Sequence, residues 1–143
     1  SLKNGLKKMS KSDPSDYSRI NLTDDKDLII NKIKKAKTDN FPMPSNNENL
    51  KNRPEILNLL GIYSIISNQK IEKIKSEFEG KNFSLFKDKL NELLVEKIAP
   101  IGRKIKDLLK NEKYLDQILN KGAEKANNLA SKKIKKMKNL VGF

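Results

Sequence analysis

Five residues near the start of the chain, Lys8-Met9-Ser10-Lys11-Ser12, bring together two ammonium groups, two hydroxyls and several unencumbered backbone N–H groups. Such a loop can wrap a polyphosphate. A lysine is a mobile point charge that can follow charge as it moves onto a leaving pyrophosphate, whereas an arginine fork would fix one geometry. Lys11 is the residue best suited to that task. Met9 would anchor the loop in an apolar pocket, and Ser10 and Ser12 would hydrogen-bond phosphate or brace the loop. A disordered Lys/Ser arm on a lysine-rich protein has the same composition, so chemistry alone leaves both readings open.

The rest of the composition restricts what else the chain can do. There is no cysteine and no histidine, which removes the disulfide, the thiolate metal site, the usual general base and the commonest zinc ligand. No metal site is expected. The 143 residues suit one ordinary domain, and 36% apolar residues can build a modest core. No run approaches the roughly 18 apolar residues that span a bilayer. Ser1-Leu2-Lys3 does not open a signal peptide, so the expected location is cytoplasmic, with no membrane partner.

The formal net charge of +13 favours an anionic partner. Its lysine bias, 28 Lys against 3 Arg beside 17 Asn and 15 Ile, is equally what AT-rich codons produce. The distribution is more informative than the total. Residues 97–143 hold 13 basic and 4 acidic residues, and residues 1–12 hold four lysines and no acid.

The elements that must position these groups read as helices. Residues 1–22 lack a sustained period and contain Asp13-Pro14, a turn-forming pair, so they are expected to be a loop. Thr23-Asp24-Asp25 then offers N-cap candidates for an amphipathic helix over about 25–38, with Ile29, Ile33 and Ala36 on its apolar face and Lys32, Lys34, Lys35 and Lys37 largely elsewhere. The Asn/Pro-rich stretch 40–53 reads as an exposed connector. Pro54 suits the start of a helix whose Ile56, Leu57, Leu59, Leu60, Ile62, Tyr63, Ile65 and Ile66 leave almost no polar face, placing it at the centre of a bundle. A short helix carrying Ile71, Ile74 and Phe78 ends near Gly80. A long pattern from Ser84 should kink or break at Pro100. The last helix, about 112–139, presents Ala123, Ala126 and Ala130 for close approach of another helix and ends in Lys132, Lys133, Lys135, Lys136 and Lys138. The expected fold is all-α: a bundle of five or six helices with an irregular N-terminal loop.

The loop also carries a family resemblance. Lys8-Met9-Ser10-Lys11-Ser12 resembles the signature loop of class I aminoacyl-tRNA synthetases, and the sequence after it resembles the C-terminal part of bacterial-type tryptophanyl-tRNA synthetases. Asp13-Pro14-Ser15-Asp16 continues the loop and Leu22-Thr23-Asp24-Asp25 opens the next helix. Lys32 to Asp39, Asn58-Leu59-Leu60, Ile62-Tyr63, Phe78-Glu79-Gly80-Lys81, Pro100-Ile101 and Gly122-Ala123-Glu124-Lys125-Ala126 follow in the family's order.

The resemblance implies a fragment of a larger enzyme, with an α/β Rossmann catalytic domain carrying a His-Ile-Gly-His type motif that a chain without histidine cannot contain. Residues 1–22 would be the signature loop and junction from that domain, and 23–143 the helical anticodon-binding domain. It further implies a tryptophan-tRNA ligase, with ATP as substrate, Mg2+ in the full-length enzyme, and L-tryptophan and tRNA(Trp) as the other partners. The loop Lys8, Met9, Ser10, Lys11 and Ser12 would bind ATP, with Lys11 catalytic and Lys8 assisting. The full-length enzyme would be a homodimer. The fragment, taken as a monomer, would bind no cofactor and would not catalyse alone.

For tRNA the basic final helix is favoured, because phosphate neutralisation dominates nucleic-acid affinity. Lys125, Lys132, Lys133, Lys135 and Lys136 are the candidates, beside the reading of a codon-biased solvated face. Base readers cannot be chosen among Phe41, Tyr63 and Tyr114. Asp24 and Asp25 are better read as helix caps than as paired catalytic carboxylates, and Asp13 and Asp16 as turn formers. A free-standing basic helical nucleic-acid binder, or a membrane-surface protein using Ile134, Met137, Leu140, Val141 and Phe143, are the rival classes. Neither accounts for the ordered matches outside the basic regions.

Overall fold

Apolar stripes at helical spacing give five α-helices in a computed structural model that describes residues 1–142: α1 (Lys26–Lys34), α2 (Pro54–Ser67), α3 (Ile71–Phe78), α4 (Phe83–Leu109) and α5 (Glu112–Val141). Short 3-10 turns lie at Asp16–Ser18 and Leu50–Asn52, and there is no strand among the described residues. The chain divides into two compact units, Ser1–Arg103 and Lys104–Phe143.

The first unit is built on Ile29 and Ile33 of α1, Ile56, Leu59, Leu60 and Tyr63 of α2, Ile74 and Phe78 of α3, and Phe86, Leu90 and Leu94 of α4, all buried. Tyr63, Phe78 and Phe86 form an aromatic triangle at its centre, with ring centroids 5.2–5.8 Å apart. Edge-to-face and offset pairs at this spacing add about 0.5–1.5 kcal/mol each beyond area burial. Although α2 is apolar over most of its circumference, it buries only one stripe. Leu57 and Ile65 are exposed, the latter at 81%. The helix is therefore not surrounded on all sides within this unit.

Asp25 caps α1 through Oδ1, which accepts the Leu28 N–H at 2.9 Å. The helix stops at Lys34 rather than 38. There Lys37 N–H turns to the Leu2 carbonyl at 2.8 Å, and Lys87 Nζ donates to the carbonyls of Lys34 and Ala36 at 3.2 and 2.7 Å. Those carbonyls would otherwise be unpaired at the helix end.

The N-terminal segment is irregular, as expected, yet firmly held. Leu2 is buried, and its N–H donates to the Ser18 carbonyl at 2.9 Å. Gly5 lies so close to α2 that a Cβ there would stand 2.3 Å from the Pro54 carbonyl carbon. Only glycine fits that approach.

Two other expectations are corrected. The 40–53 connector is not simply exposed, because Met43, Pro44 and Leu50 are buried. Arg53 organises it by binding Asp39 at 2.8 and 2.9 Å, Glu48 at 2.7 Å and the Pro42 carbonyl at 2.8 Å. Pro100 does not break α4, which runs through it. Removing one donor is tolerated where later turns stay paired. In the second unit no described residue of α5 is buried, and Ala123, Ala126 and Ala130 are exposed. Phe143 lies outside the described residues.

Candidate functional site

In the loop, Lys8, Ser10, Lys11 and Ser12 are exposed, while Met9 is half-buried and packs against the core. Ser10 and Ser12 brace one another, with their Oγ atoms 2.8 Å apart and the Ser12 N–H donating to Ser10 Oγ at 3.3 Å. The Asp13 N–H donates to the Ser10 carbonyl at 3.4 Å, and Asp13 Oδ1 accepts the Ser15 N–H at 2.8 Å. Met9, Ser10 and Lys11 face Arg19 to Thr23 across an open cavity of about 410 Å³. Both ammonium groups of the loop are thus free to meet a polyanion.

Below the loop lies a polar network that the residue pattern did not announce. Arg19 Nη1 donates to the carbonyls of Ser10, Asp13 and Ser15 at 3.4, 3.0 and 3.4 Å. Its Nε donates to Asn21 Oδ1 at 3.2 Å, and Nη2 lies 3.1 Å from Asp16 Oδ1. Asn21 Nδ2 donates to Asp16 Oδ1 at 2.9 Å and to Asp24 Oδ1 at 3.2 Å, and its N–H to Asp24 Oδ2 at 2.8 Å.

Lys32, on α1, closes the network with Nζ at 2.6 Å from both Asp16 Oδ2 and Asp24 Oδ2. Its side chain is fully buried, so Lys32 shares the buried face of Ile29 and Ile33 and does not lie elsewhere, as expected for most of the lysines here. A buried ammonium demands carboxylate partners, and two are folded onto it. The hydrogen bond from Lys32, followed by that from Asn21, holds the Asp16 carboxyl below its ordinary value. Asp24 is therefore not a helix cap, whereas Asp25 is. Asp16 does more than form a turn.

The other candidates lie on α5. Lys125, Lys132, Lys133, Lys135 and Lys136 are exposed. The last four, with Leu129 and Asn139, border a shallow surface groove. Of the aromatics considered as base readers, Tyr63 belongs to the core, while Phe41 and Tyr114 are exposed. No group of three or more acidic side chains able to hold a metal ion occurs among the described residues. No helix among them is long and apolar enough to cross a membrane.

Comparison with known proteins places this loop in a family. A sequence profile described as "tRNA synthetases class I (W and Y)" matches residues 1–98. The chain is 49% identical to a tryptophan–tRNA ligase of Agrobacterium fabrum over 143 residues, which is 100% of this chain and 40% of that protein. It is 50% identical to the tryptophan–tRNA ligase of Rickettsia prowazekii, again over all of this chain and 43% of that one. The crystal structure of tryptophanyl-tRNA synthetase from Mycoplasma pneumoniae superposes with a TM-score of 0.62 at 27% identity, covering 74% of this chain and 34% of that chain. The chain thus spans about 40% of the length of the curated relatives it matches. With the signature loop in place and the profile matching residues 1–98, the chain belongs to the class I tRNA synthetases of the tryptophan and tyrosine group.

Proposed function

We propose that this chain supplies the ATP-phosphate loop and the tRNA-binding helices of a tryptophan–tRNA ligase. The observation that carries the reading is the loop Lys8 to Ser12 inside a chain that aligns from end to end with tryptophan–tRNA ligases. In the proposed reaction a tryptophan carboxylate oxygen attacks the α-phosphorus of ATP and the bond to pyrophosphate breaks. The tryptophanyl group then passes from the adenylate to the 3′ end of tRNA(Trp), releasing AMP. Lys11 stabilises the charge arriving on the pyrophosphate and Lys8 assists. Ser10 and Ser12, which are exposed and already in hydrogen-bonding geometry with each other, offer hydroxyls to the phosphates.

Residues 23–143 form the anticodon-binding part, with the lysines of α5 neutralising tRNA phosphates. The complete ligase works in the cytoplasm as a homodimer. Mg2+ belongs with the nucleotide in this reading. The carboxylates near the loop do not fit a protein-held ion, since Asp16 and Asp24 already bind Lys32, Arg19 and Asn21. No step is assigned to such an ion.

The test is tryptophan-dependent pyrophosphate–ATP exchange by the complete ligase carrying Lys11→Ala. The exchange rate should fall by about 100-fold or more, the scale of one preorganised charge-stabilising group. Unchanged exchange defeats the assignment.

A further inference from the structure

We infer that Arg19 is a positioning residue for the signature loop, a clamp that holds the loop backbone so that Lys8 and Lys11 present their ammonium groups to the nucleotide. This rests on the functional reading above. Arg19 stands outside the signature loop itself, yet one terminal nitrogen of its guanidinium meets three carbonyls of the loop and its return, those of Ser10, Asp13 and Ser15. A guanidinium has five donors in a planar fork and no acceptor. Here Nη1 faces the loop, Nε holds Asn21 and Nη2 holds Asp16. The side chain is 18% exposed.

Two features separate clamping from phosphate binding. First, the guanidinium is engaged on all three nitrogens and its charge is matched by Asp16, so little of it is left for a phosphate even though Arg19 borders the same cavity as Lys11. Second, the clamp is grounded. Asp16 and Asn21 pass the load to Asp24 and to Lys32, which is fully buried on α1. The loop base is therefore tied to α1, while the lysines at its tip have no side-chain hydrogen bond or ion pair among the described residues and stay exposed. A rigid base under a free cationic tip is the arrangement that placing a point charge on a reacting phosphate requires. A lysine in place of Arg19 keeps the charge but cannot meet three carbonyls, an amide and a carboxylate at once.

The experiment uses the complete ligase with Arg19→Lys and Arg19→Gln. Trypsin cuts after Lys8 and Lys11 are followed by mass spectrometry, alongside steady-state exchange kinetics and thermal unfolding. Both variants should be cut at these two sites about tenfold faster than the parent, since a local opening costs less free energy once the clamp is lost. Exchange kcat should fall about tenfold while the KM for tryptophan stays within twofold, and the lysine variant should not rescue.

Cutting rates at Lys8 and Lys11 unchanged in both variants overturn the clamp. Faster cutting spread along the whole chain with a collapsed melting temperature overturns it too, because Arg19 would then be a general structural residue. The functional reading fails separately: Lys11→Ala with intact exchange, beside Arg19 variants that loosen the loop, would sink that reading and leave the clamp standing.

Discussion

At the scale of single residues, Lys32 is the side chain with the most to lose. Its ammonium is buried between Asp16 and Asp24, so Lys32→Met leaves a buried carboxylate at Asp24, 5% exposed, without its cation. Removing one partner of a buried pair costs about 3–5 kcal/mol, and the low end applies because the Asp16 side chain is half exposed. Denaturant unfolding should show that loss, and Lys32→Met combined with Asp24→Asn should recover part of it. A second check uses acid. The folded state holds Asp16 below its ordinary value, chiefly through Lys32. Its contribution to stability is therefore full above the unfolded carboxylate value of about 3.9 and is lost as the pH falls through the lowered folded one. Melting temperature followed from pH 6 downward to about 3 should decline less steeply in Asp16→Asn, and an identical decline would count against the ion pair. Lys11 stood out in the sequence because its residue type and spacing suit a phosphate loop, a reading that the family resemblance, and not chemistry alone, singled out. Lys32 and Arg19 did not. Lys32 falls at i+3 from Ile29, within the apolar face of α1, but its residue type argues for solvent, and three of the partners of Arg19 are backbone carbonyls, which leave no trace in residue identity.

At the scale of elements, the two longest helices respond in opposite ways to the same change. Gly102 of α4 faces the segment before α1, where a Cβ would stand 2.8 Å from the Leu22 carbonyl oxygen. That oxygen is main chain and cannot swing aside, so Gly102→Ala should destabilise by about 1–3 kcal/mol, the range for overpacking. Gly122 of α5 meets nothing within 4 Å. Gly122→Ala should raise helicity by circular dichroism and stabilise α5 by about 0.5–1 kcal/mol, the ordinary cost of a mid-helix glycine. If both substitutions stabilise, the close approach at Gly102 is wrong. The helices themselves were largely readable, since Ile29 and Ile33, Ile74 and Phe78, and Phe86, Leu90 and Leu94 recur at helical spacing and are all buried. Their ends and exceptions were not. Met43 and Leu50 are isolated apolar residues in an Asn/Pro-rich stretch and carry no period, yet Arg53 folds that stretch so that both are buried. Pro100 reads as a breaker from local sterics, and α4 nonetheless continues through it.

At the scale of the whole molecule, charge separates from packing. Residues 97–143 carry 13 of the basic and 4 of the acidic residues, and α5, which lies within that range, has no buried residue. A 30-residue helix with no buried face depends on local propensity and capping: Asn111 accepts the Tyr114 N–H at 3.2 Å, and Gly142 ends it in the left-handed region at φ 84°. Its lysines can therefore be changed without opening a core, which makes the proposed tRNA contact testable apart from folding. Reversing Lys132, Lys133, Lys135 and Lys136 to Glu in the complete ligase should weaken tRNA(Trp) binding. It should also reduce the slope of log affinity against log salt by about 3, since each phosphate contact contributes roughly 0.7–0.9. Activation of tryptophan without tRNA should be unaffected, because none of these residues belongs to the loop. A salt slope that does not move would mean that the excess of 13 basic over 4 acidic residues in 97–143 is compositional, and that tRNA is held by another face.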